Sequence, residues 1–406
     1  MKKILCVLLT IAMIFGLAGC GGNTAAGGED AGGAEETKAT AVAIITGTVT
    51  QSEDDRRGAE ALLAKYGEER VKLATYPDNF GEEYDTTVQT IVNFADDPTV
   101  GAIVVNQAVP GTAEAFQKVK ELRPDIMCFA GEAHEDLPLI GGVADLVVNN
   151  DFISRGYLMI HTAHELGCDT FVHVSFPRHL AYETMERRLN VMQAACEELG
   201  MTFVQETAPD PTDTSAGGMD GAVAFMKQQT PEWIKKYGQN AAFFCTNDGE
   251  TAPMLAALIE NGGYFIESDL PSPLLGYPEA LGGLDTTAEA GDFEAILKKV
   301  EGAIVDAGGE GRFGTWQCSW GYTLSNGLGQ FAVNILDGKA TLGNRDDLFA
   351  AMKEASGVAW SGSTYRTVDG SKMDNVTLLF QDTYIFGKGF MGTPDVEIPD
   401  EIFEKY

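Results

Sequence analysis

Residues Ala241–Gly263 read AAFFCTNDGETAPMLAALIENGG. Ala241–Cys245 is an apolar run with the length of one buried strand. Thr246-Asn247-Asp248-Gly249 follows as a cluster of polar turn formers. A helix pattern then begins, with Pro253 in its first turn, where a missing N–H costs little. Met254, Leu255, Leu258 and Ile259 form its apolar face, and Gly262-Gly263 ends it. The unit is strand, turn, helix, with its polar residues at the carboxyl end of the strand. In open α/β sheets that end is where ligands bind. Capping a helix takes one short polar side chain. Three stand in a row here, so Asn247 and Asp248 are candidates for ligand contact as well as for capping.

The same alternation extends in both directions. Toward the N-terminus, apolar runs at Ala41–Ile45, Val71–Thr75, Ala102–Val105, Ile126–Ala130 and Asp145–Val148 are separated by helix patterns near Glu53–Tyr66, Glu82–Ala95 and Thr112–Leu122. A second series has runs at Thr170–Val174, Thr202–Gln205, Ala241–Cys245 and Pro273–Gly276. Its helices are expected at Ala181–Leu199, Gly217–Tyr237, Glu250–Asn261 and Glu289–Asp306. Repeated alternation implies parallel sheets covered by helices on both faces. Two series imply an α/β chain of two similar Rossmann-like lobes, with a ligand cleft between them. Beyond Gly308 the regularity breaks: Phe313–Trp320 and Val376–Phe386 read as strands, Leu324–Leu336 and Asp347–Glu354 as helices.

The N-terminus reads differently. Lys2 and Lys3 precede an apolar run, Ile4–Leu17, and then small residues, the pattern of a signal peptide over residues 1–19. Leu17-Ala18-Gly19-Cys20 looks like a bacterial lipobox, in which the Cys20 thiol is lipidated and becomes the membrane anchor. Residues 20–38 are rich in Gly, Ala and Glu, and are expected to be a flexible linker. The net charge is −32, and losing Lys2 and Lys3 takes it to −34. Such a surface repels nucleic acid and anionic headgroups. Of seven cysteines, Cys6 and Cys20 lie in the targeting segment. Cys128, Cys168, Cys196, Cys245 and Cys318 are scattered through apolar runs without CxxC spacing, so they read as buried thiols. His161, His164 and Glu165 lack the H-E-x-x-H pattern, and no metal site is expected. No P-loop, G-x-G-x-x-G or G-x-S-x-G is present, so neither a cofactor nor an enzyme is expected.

The order of elements resembles the type I periplasmic binding proteins, the superfamily of ribose-binding protein and lac-repressor-type effector domains, over roughly residues 39–339. Four segments carry the resemblance. FFCTNDGETAPMLAALIENGG is similar to the family's segment whose Asp hydrogen-bonds ligand, which matches Asp248. VVNNDFISRGY is similar to the first crossing between lobes, with Asp151 heading the next helix. AYETMERRLNVMQAACEELGM resembles the helix whose Arg enters the cleft, and FGTWQCSWGYT the second crossing, whose Gln, here Gln317, faces the ligand. The chain also resembles an uncharacterised family of lipid-anchored solute-binding-like proteins.

Two of these matches can be checked on the residues themselves. At 100° per residue, Met185, Leu189, Met192, Cys196 and Leu199 fall within about 40° of one direction. Arg188 lies about 60° from that stripe, at the border of the packed face, and Arg187 about 160° away, toward solvent. Arg188 offers a planar fork of donors. A strand over residues 314–320 would put Thr315, Gln317 and Ser319 on one face and Trp316, Cys318 and Trp320 on the other.

The resemblance implies a hinge-connected pair of lobes: residues 39–150 with about 318–370, and residues 151–317 with about 371–392, ending in a tail over 393–406. The third crossing is expected between about Gly362 and Lys372. Second-lobe contacts would come from Asp248, Asn247, Arg188, Gln317 and Asp151, and first-lobe contacts from Thr48 and Asn106, with Gln51, Asp78-Asn79-Phe80, Gln107 and Glu132 nearby. Sugar-binding members often carry Asp-Arg after the fourth strand, where this chain has Ala130-Gly131-Glu132. The expected role is that of a lipid-anchored, extracytoplasmic solute-binding protein of an ABC importer. It would be a monomer that takes a small polar ligand, sugar- or nucleoside-like, and docks on a permease. A surface sensor signalling to a membrane receptor is the alternative, and a hydrolase using the cleft a third.

Overall fold

Two continuous apolar runs, AVAIIT at Ala41–Thr46 and VGAIVVN at Val100–Asn106, become strands in which every residue is buried. That is the behaviour of central parallel strands covered on both faces. The computed structural model describes residues 39–399 and 401–402. The signal peptide, the lipobox with Cys20 and the linker expected before residue 39 lie outside the described residues.

Lobe 1 begins with β1 (Ala41–Thr46), α1 (Val49–Tyr66), β2 (Val71–Thr75), α2 (Tyr84–Val92), β3 (Val100–Asn106), α3 (Thr112–Leu122), β4 (Met127–Gly131), α4 (Leu137–Gly141) and β5 (Leu146–Asn150). Lobe 2 continues with α5 (Phe152–Glu165), β6 (Thr170–Ser175), α6 (Pro177–Leu180), α7 (Glu183–Leu199), β7 (Thr202–Thr207), α8 (Gly218–Tyr237), β8 (Ala241–Cys245), α9 (Asp248–Asn261), α10 (Tyr277–Ala280), α11 (Phe293–Asp306) and β9 (Gly314–Thr315). The chain then returns to lobe 1 with α12 (Trp320–Leu336), α13 (Arg345–Ser356), β10 (Ser361–Arg366) and β11 (Lys372–Phe380), and ends in lobe 2 with β12 (Tyr384–Ile385) and β13 (Gly389–Phe390).

The lobe 1 sheet has the order β10-β11-β5-β4-β3-β1-β2, parallel except for β10. In lobe 2, the parallel set β7-β6-β8 joins the antiparallel set β13-β12-β9 through two bridges, Ala242 to Tyr264 and Phe265 to Phe313. The fold is therefore two α/β lobes built on mainly parallel sheets. Cys128, Cys168, Cys196, Cys245 and Cys318 are buried and free. No described helix is long and apolar enough to cross a membrane.

Four expectations are corrected. Pro273–Gly276 forms turns, and Tyr264-Phe265 takes its place in the sheet. The strand expected over Phe313–Trp320 is confined to Gly314–Thr315, and Gln317 sits in a bend. The run Val376–Phe386 splits between β11 in lobe 1 and β12 in lobe 2. The third crossing accordingly falls at Gln381–Thr383 and not between Gly362 and Lys372, which lie in the β10–β11 hairpin. Lobe 1 thus runs on through Phe380 rather than ending near residue 370. In the tail, Val396, Ile398 and Ile402 pack on the lobe 2 core.

The crossings share one buried hub. Arg155 Nε donates to Glu267 Oε2 at 2.9 Å, and its terminal nitrogens donate to the carbonyls of Asp269 (3.0 Å) and Ser268 (2.9 Å). The guanidinium lies over Trp316 at 5.0 Å, while Trp316 Nε1 donates to Glu267 Oε1 at 3.1 Å. The Thr383 hydroxyl, at the third crossing, donates to the same Oε1. Asp151, at the first crossing, donates its N–H to Leu379 O at 2.8 Å.

Candidate functional site

The carboxyl ends of the strands in both lobes meet at two adjoining cavities, an outer one of about 750 Å³ and an inner one of about 70 Å³. Gln51, Asp248, Gly249 and Leu270 line both. The inner cavity has walls from each lobe.

On the lobe 1 side, β3 and β4 end in Gln107 and Glu132, with φ of 48° and 45°. These are the two non-glycine residues with left-handed backbone among the described residues, and both line the inner cavity. Non-glycine residues in that region cost energy and cluster at functional sites. Gln107 Nε2 donates to Asp55 Oδ2 at 2.7 Å. Glu132 accepts from the Asn150 N–H at 3.1 Å and from Trp320 Nε1 at 2.6 Å, and burial pushes its carboxyl up to about 8.

Asp54 and Asp55 reach the interface because α1 is kinked at Ser52, whose φ of −156° and ψ of 96° are not helical. Past the kink, α1 lies close on α12: a Cβ on Gly58 would stand 2.2 Å from the Tyr322 carbonyl. Asp54 Oδ2 accepts from Ser272 Oγ at 2.6 Å and from Ser319 Oγ at 2.5 Å, which ties α1 to lobe 2 and to the second crossing. Asp55 is 1% exposed, its Oδ1 has no hydrogen-bond partner, and burial raises its carboxyl to about 7.

On the lobe 2 side, α6 and the start of α7 carry Arg178, His179 and Tyr182. Arg178 holds Asp210 through two hydrogen bonds, 2.7 and 3.0 Å, and donates to the Tyr182 hydroxyl at 2.9 Å. His179 stacks on Phe176 with centroids 5.0 Å apart. His134, from lobe 1, faces Tyr182 at 6.0 Å and His179 at 6.5 Å, so aromatic rings close the cavity across the lobes. Burial lowers both imidazoles to about 3 and keeps them neutral, reinforced by Arg178 at both, by His179 at His134 and by Arg188 at His179. The Nδ1 atoms of both are buried without partners.

The turn after β8 completes this wall. Asn247 caps α9, its Oδ1 accepting from the Gly249 N–H at 3.0 Å, and its side chain borders the inner cavity. Asp248 stands between the two cavities with a buried, unpartnered Oδ1. Burial raises its carboxyl well above the usual range, and Asp269 and Asp55 raise it further.

The remaining candidates lie elsewhere. Arg188 is fully buried and lines neither cavity. It forms an ion pair with Asp269 at 2.6 Å, and its guanidinium lies between Phe152 (4.7 Å) and Phe244 (4.9 Å). It therefore reaches the cleft through Asp269, which does line the inner cavity. Arg187 does not point to solvent. It pairs with Glu183 at 2.9 Å and donates to the Arg366 carbonyl of β10 at 3.1 Å, a contact between lobes. Gln317 borders neither cavity. Thr48 caps α1 and donates to Asp78 at 2.6 Å. Asn106 is turned inward, donating to Ser325 at 2.6 Å. Asp151 caps α5 through the Ser154 N–H at 2.9 Å. His161 approaches Glu165 at 3.9 Å, and no cluster suited to a metal is found among the described residues. The structure adds Asp54, Asp55, His134, Arg178, His179, Tyr182 and Asp269 to the cleft. Of these, Asp54-Asp55 had the sole legible signal, two acids at a helix start, and that reads equally well as a solvated face.

Glu250 is fully buried with neither carboxyl oxygen partnered, and it too is raised to about 8. Glu132, Glu250, Asp248 and, up to about pH 7, Asp55 keep protons in the folded state that the unfolded chain has released. Stability therefore falls as pH rises through this interval. The buried histidines oppose this only below their unfolded value of 6.5, so the fall is clean between about pH 6.5 and 8. We expect a loss of about 3 kcal/mol over that interval from Glu132 and Glu250, given roughly 1.4 kcal/mol per unit for each fully shifted group and half-titration of both at pH 8. Urea unfolding at the two pH values measures it. Glu250→Gln should flatten the dependence, and a rise in stability toward pH 8 would contradict these assignments.

Comparison with known proteins places this architecture. An uncharacterized protein of Treponema pallidum (strain Nichols) is 42% identical over 212 residues, which is 52% of this chain and 94% of that one. A solved structure described as a putative transcriptional regulator from Clostridium difficile 630 superposes with a TM-score of 0.71 at 22% identity, covering 86% of this chain and all of that one. A sugar ABC transporter from Actinomyces odontolyticus superposes with a TM-score of 0.50 at 11% identity, covering 76% of this chain and 86% of that one. At these identities the two structures show a shared two-lobed α/β fold. The family described as "Protein of unknown function (DUF3798)" matches residues 41–314, and the chain belongs to it.

Proposed function

We propose that this chain is an extracytoplasmic solute-binding lipoprotein of an ABC-type importer, holding a small polar ligand between its lobes. The observation that carries this reading is the inner cavity. Both lobes wall it, and Asp248 and His179 present buried polar atoms there that no protein group satisfies. Unpartnered buried polar groups are costly. A solute entering between the lobes would supply their partners and hold the lobes closed. The neighbours that share the fold are described as a sugar ABC transporter and a putative transcriptional regulator. The Lys2-Lys3 and Ile4–Leu17 pattern, with the Leu17–Cys20 lipobox, favours an exported role over a DNA-bound one.

The reading can be tested before the ligand is identified. Protein stripped by denaturation and refolding should melt lower than freshly purified protein, and a small-molecule extract of the host should restore the difference. Identical melts in all three states would contradict the reading. Anchoring is tested separately: Cys20→Ala should move the protein out of the membrane fraction. A processed variant that stays membrane-bound would rule out the lipid anchor.

A further inference from the structure

The walls of the cleft are unbalanced in charge and in hydrogen-bonding sense. Seven carboxylates border the two cavities against two guanidiniums, Arg57 and Arg178. Both guanidiniums are already engaged, Arg57 by Glu53 and Glu60 and Arg178 by Asp210. Arg188, behind the wall, is engaged by Asp269. No guanidinium of the wall is left over for a carboxylate or phosphate ligand.

A second observation is independent of the acids. His179 is 8% exposed, borders the inner cavity, and has no partner at Nδ1. Its ring donates to the Thr246 backbone from the other nitrogen, so in the neutral imidazole Nδ1 is an acceptor. Asp248 Oδ1 and Asp55 Oδ1 are also without partners, and become acceptors once their carboxyls ionise. The unsatisfied atoms of the cleft therefore ask for donors. Around them stand Phe80, His134 and Tyr182, whose ring faces attract a cation and offer nothing to an anion.

We propose that the cleft binds a small organic cation, a solute carrying a protonated amine or guanidinium, with Asp248 as its principal charge partner and the His134–Tyr182 rings beside it. Asp55, held by Gln107 on the opposite lobe, adds negative potential from behind the outer cavity. The inference rests on the solute-binding reading and narrows it. Ionised acids favour the cation, so its arrival drives protons off the acid cluster. Binding at pH 7 should release protons, which a neutral solute would not cause.

The experiment uses the full chain in thermal melts with agmatine, choline and glucosamine, set against glucose, inositol and glucuronate at equal concentrations. The expected result is a rise in melting temperature with one or more of the three cations alone. For the responding probe, calorimetry in two buffers of different ionisation heat should show proton release. Asp248→Asn should weaken that probe roughly tenfold to a hundredfold. Stabilisation by glucose, inositol or glucuronate equal to that by the cations overturns the charge assignment and leaves solute binding standing. If the whole panel is flat, the compound released on denaturing fresh protein decides. A released compound with a basic nitrogen supports the proposal, and one without it overturns the proposal. If nothing is released, the solute-binding reading falls with it.

Discussion

Replacing Arg155 by alanine is expected to cost about 3–5 kcal/mol of folding stability, the usual consequence of leaving one partner of a buried ion pair alone. Arg155 and Glu267 are 1% and 2% exposed. Glu267 would keep its bonds from Trp316 and Thr383 and lose its one cation. The carbonyls of Ser268 and Asp269 would lose their donors as well. All three crossings lean on this hub, so the loss should also loosen how the lobes are held. Equilibrium urea unfolding measures the first effect. A cost below about 1 kcal/mol, the range of an exposed pair, would show that the hub is hydrated and unimportant.

A comparable loss, about 3–5 kcal/mol, is expected for Arg188→Ala. The side chain is fully buried between Phe152 and Phe244, and removing it strands the Asp269 carboxylate beside Asp248. Removing both charges together should be far milder, because buried pairs replaced by well-packed apolar residues are often near neutral. Arg188→Met with Asp269→Leu should therefore recover most of the loss in the same unfolding assay. If the double variant is no more stable than Arg188→Ala, the pair is not the source of the cost. Phase along α7 was enough to separate Arg188 from Arg187 but not to describe either. The helical wheel sees one helix against its own lobe. The β10 strand of the other lobe covers Arg187, and the pairing of Arg188 with Asp269, 81 positions away in sequence, has no local signature.

The fold was legible where elements were long and buried. The unbroken apolar runs of β1, β3 and β8 announce parallel strands, and AAFFCTNDGETAPMLAALIENGG gives the strand, the cap and the start of α9. It was illegible where pairing rests on two residues. Tyr264-Phe265 is too short to show a period, whereas Pro273–Gly276 looks apolar and pairs with nothing. The third crossing hid inside an apparently continuous run, because Gln381 and Asp382 look like ordinary polar positions of a strand. At the site, Asn247 and Asp248 were legible from their place after β8. Thr48 and Asn106 were drawn by the same rule and Asp151 from the resemblance, and all three turn out to hold backbone or helix ends. A strand end offers several polar side chains, and only three-dimensional packing decides which of them look into the cleft. His179 and Tyr182 stand three positions apart in lobe 2 and His134 comes from a loop of lobe 1, so the cluster is complete only when the lobes meet.

The central claim is that the space between the lobes holds a small solute. Native mass spectrometry of the freshly purified full chain tests it most directly. The expected result is a bound compound at one per chain, displaced or weakened in Asp248→Asn. A chain of bare polypeptide mass under gentle conditions, unchanged by that substitution and by added host extract, would contradict it.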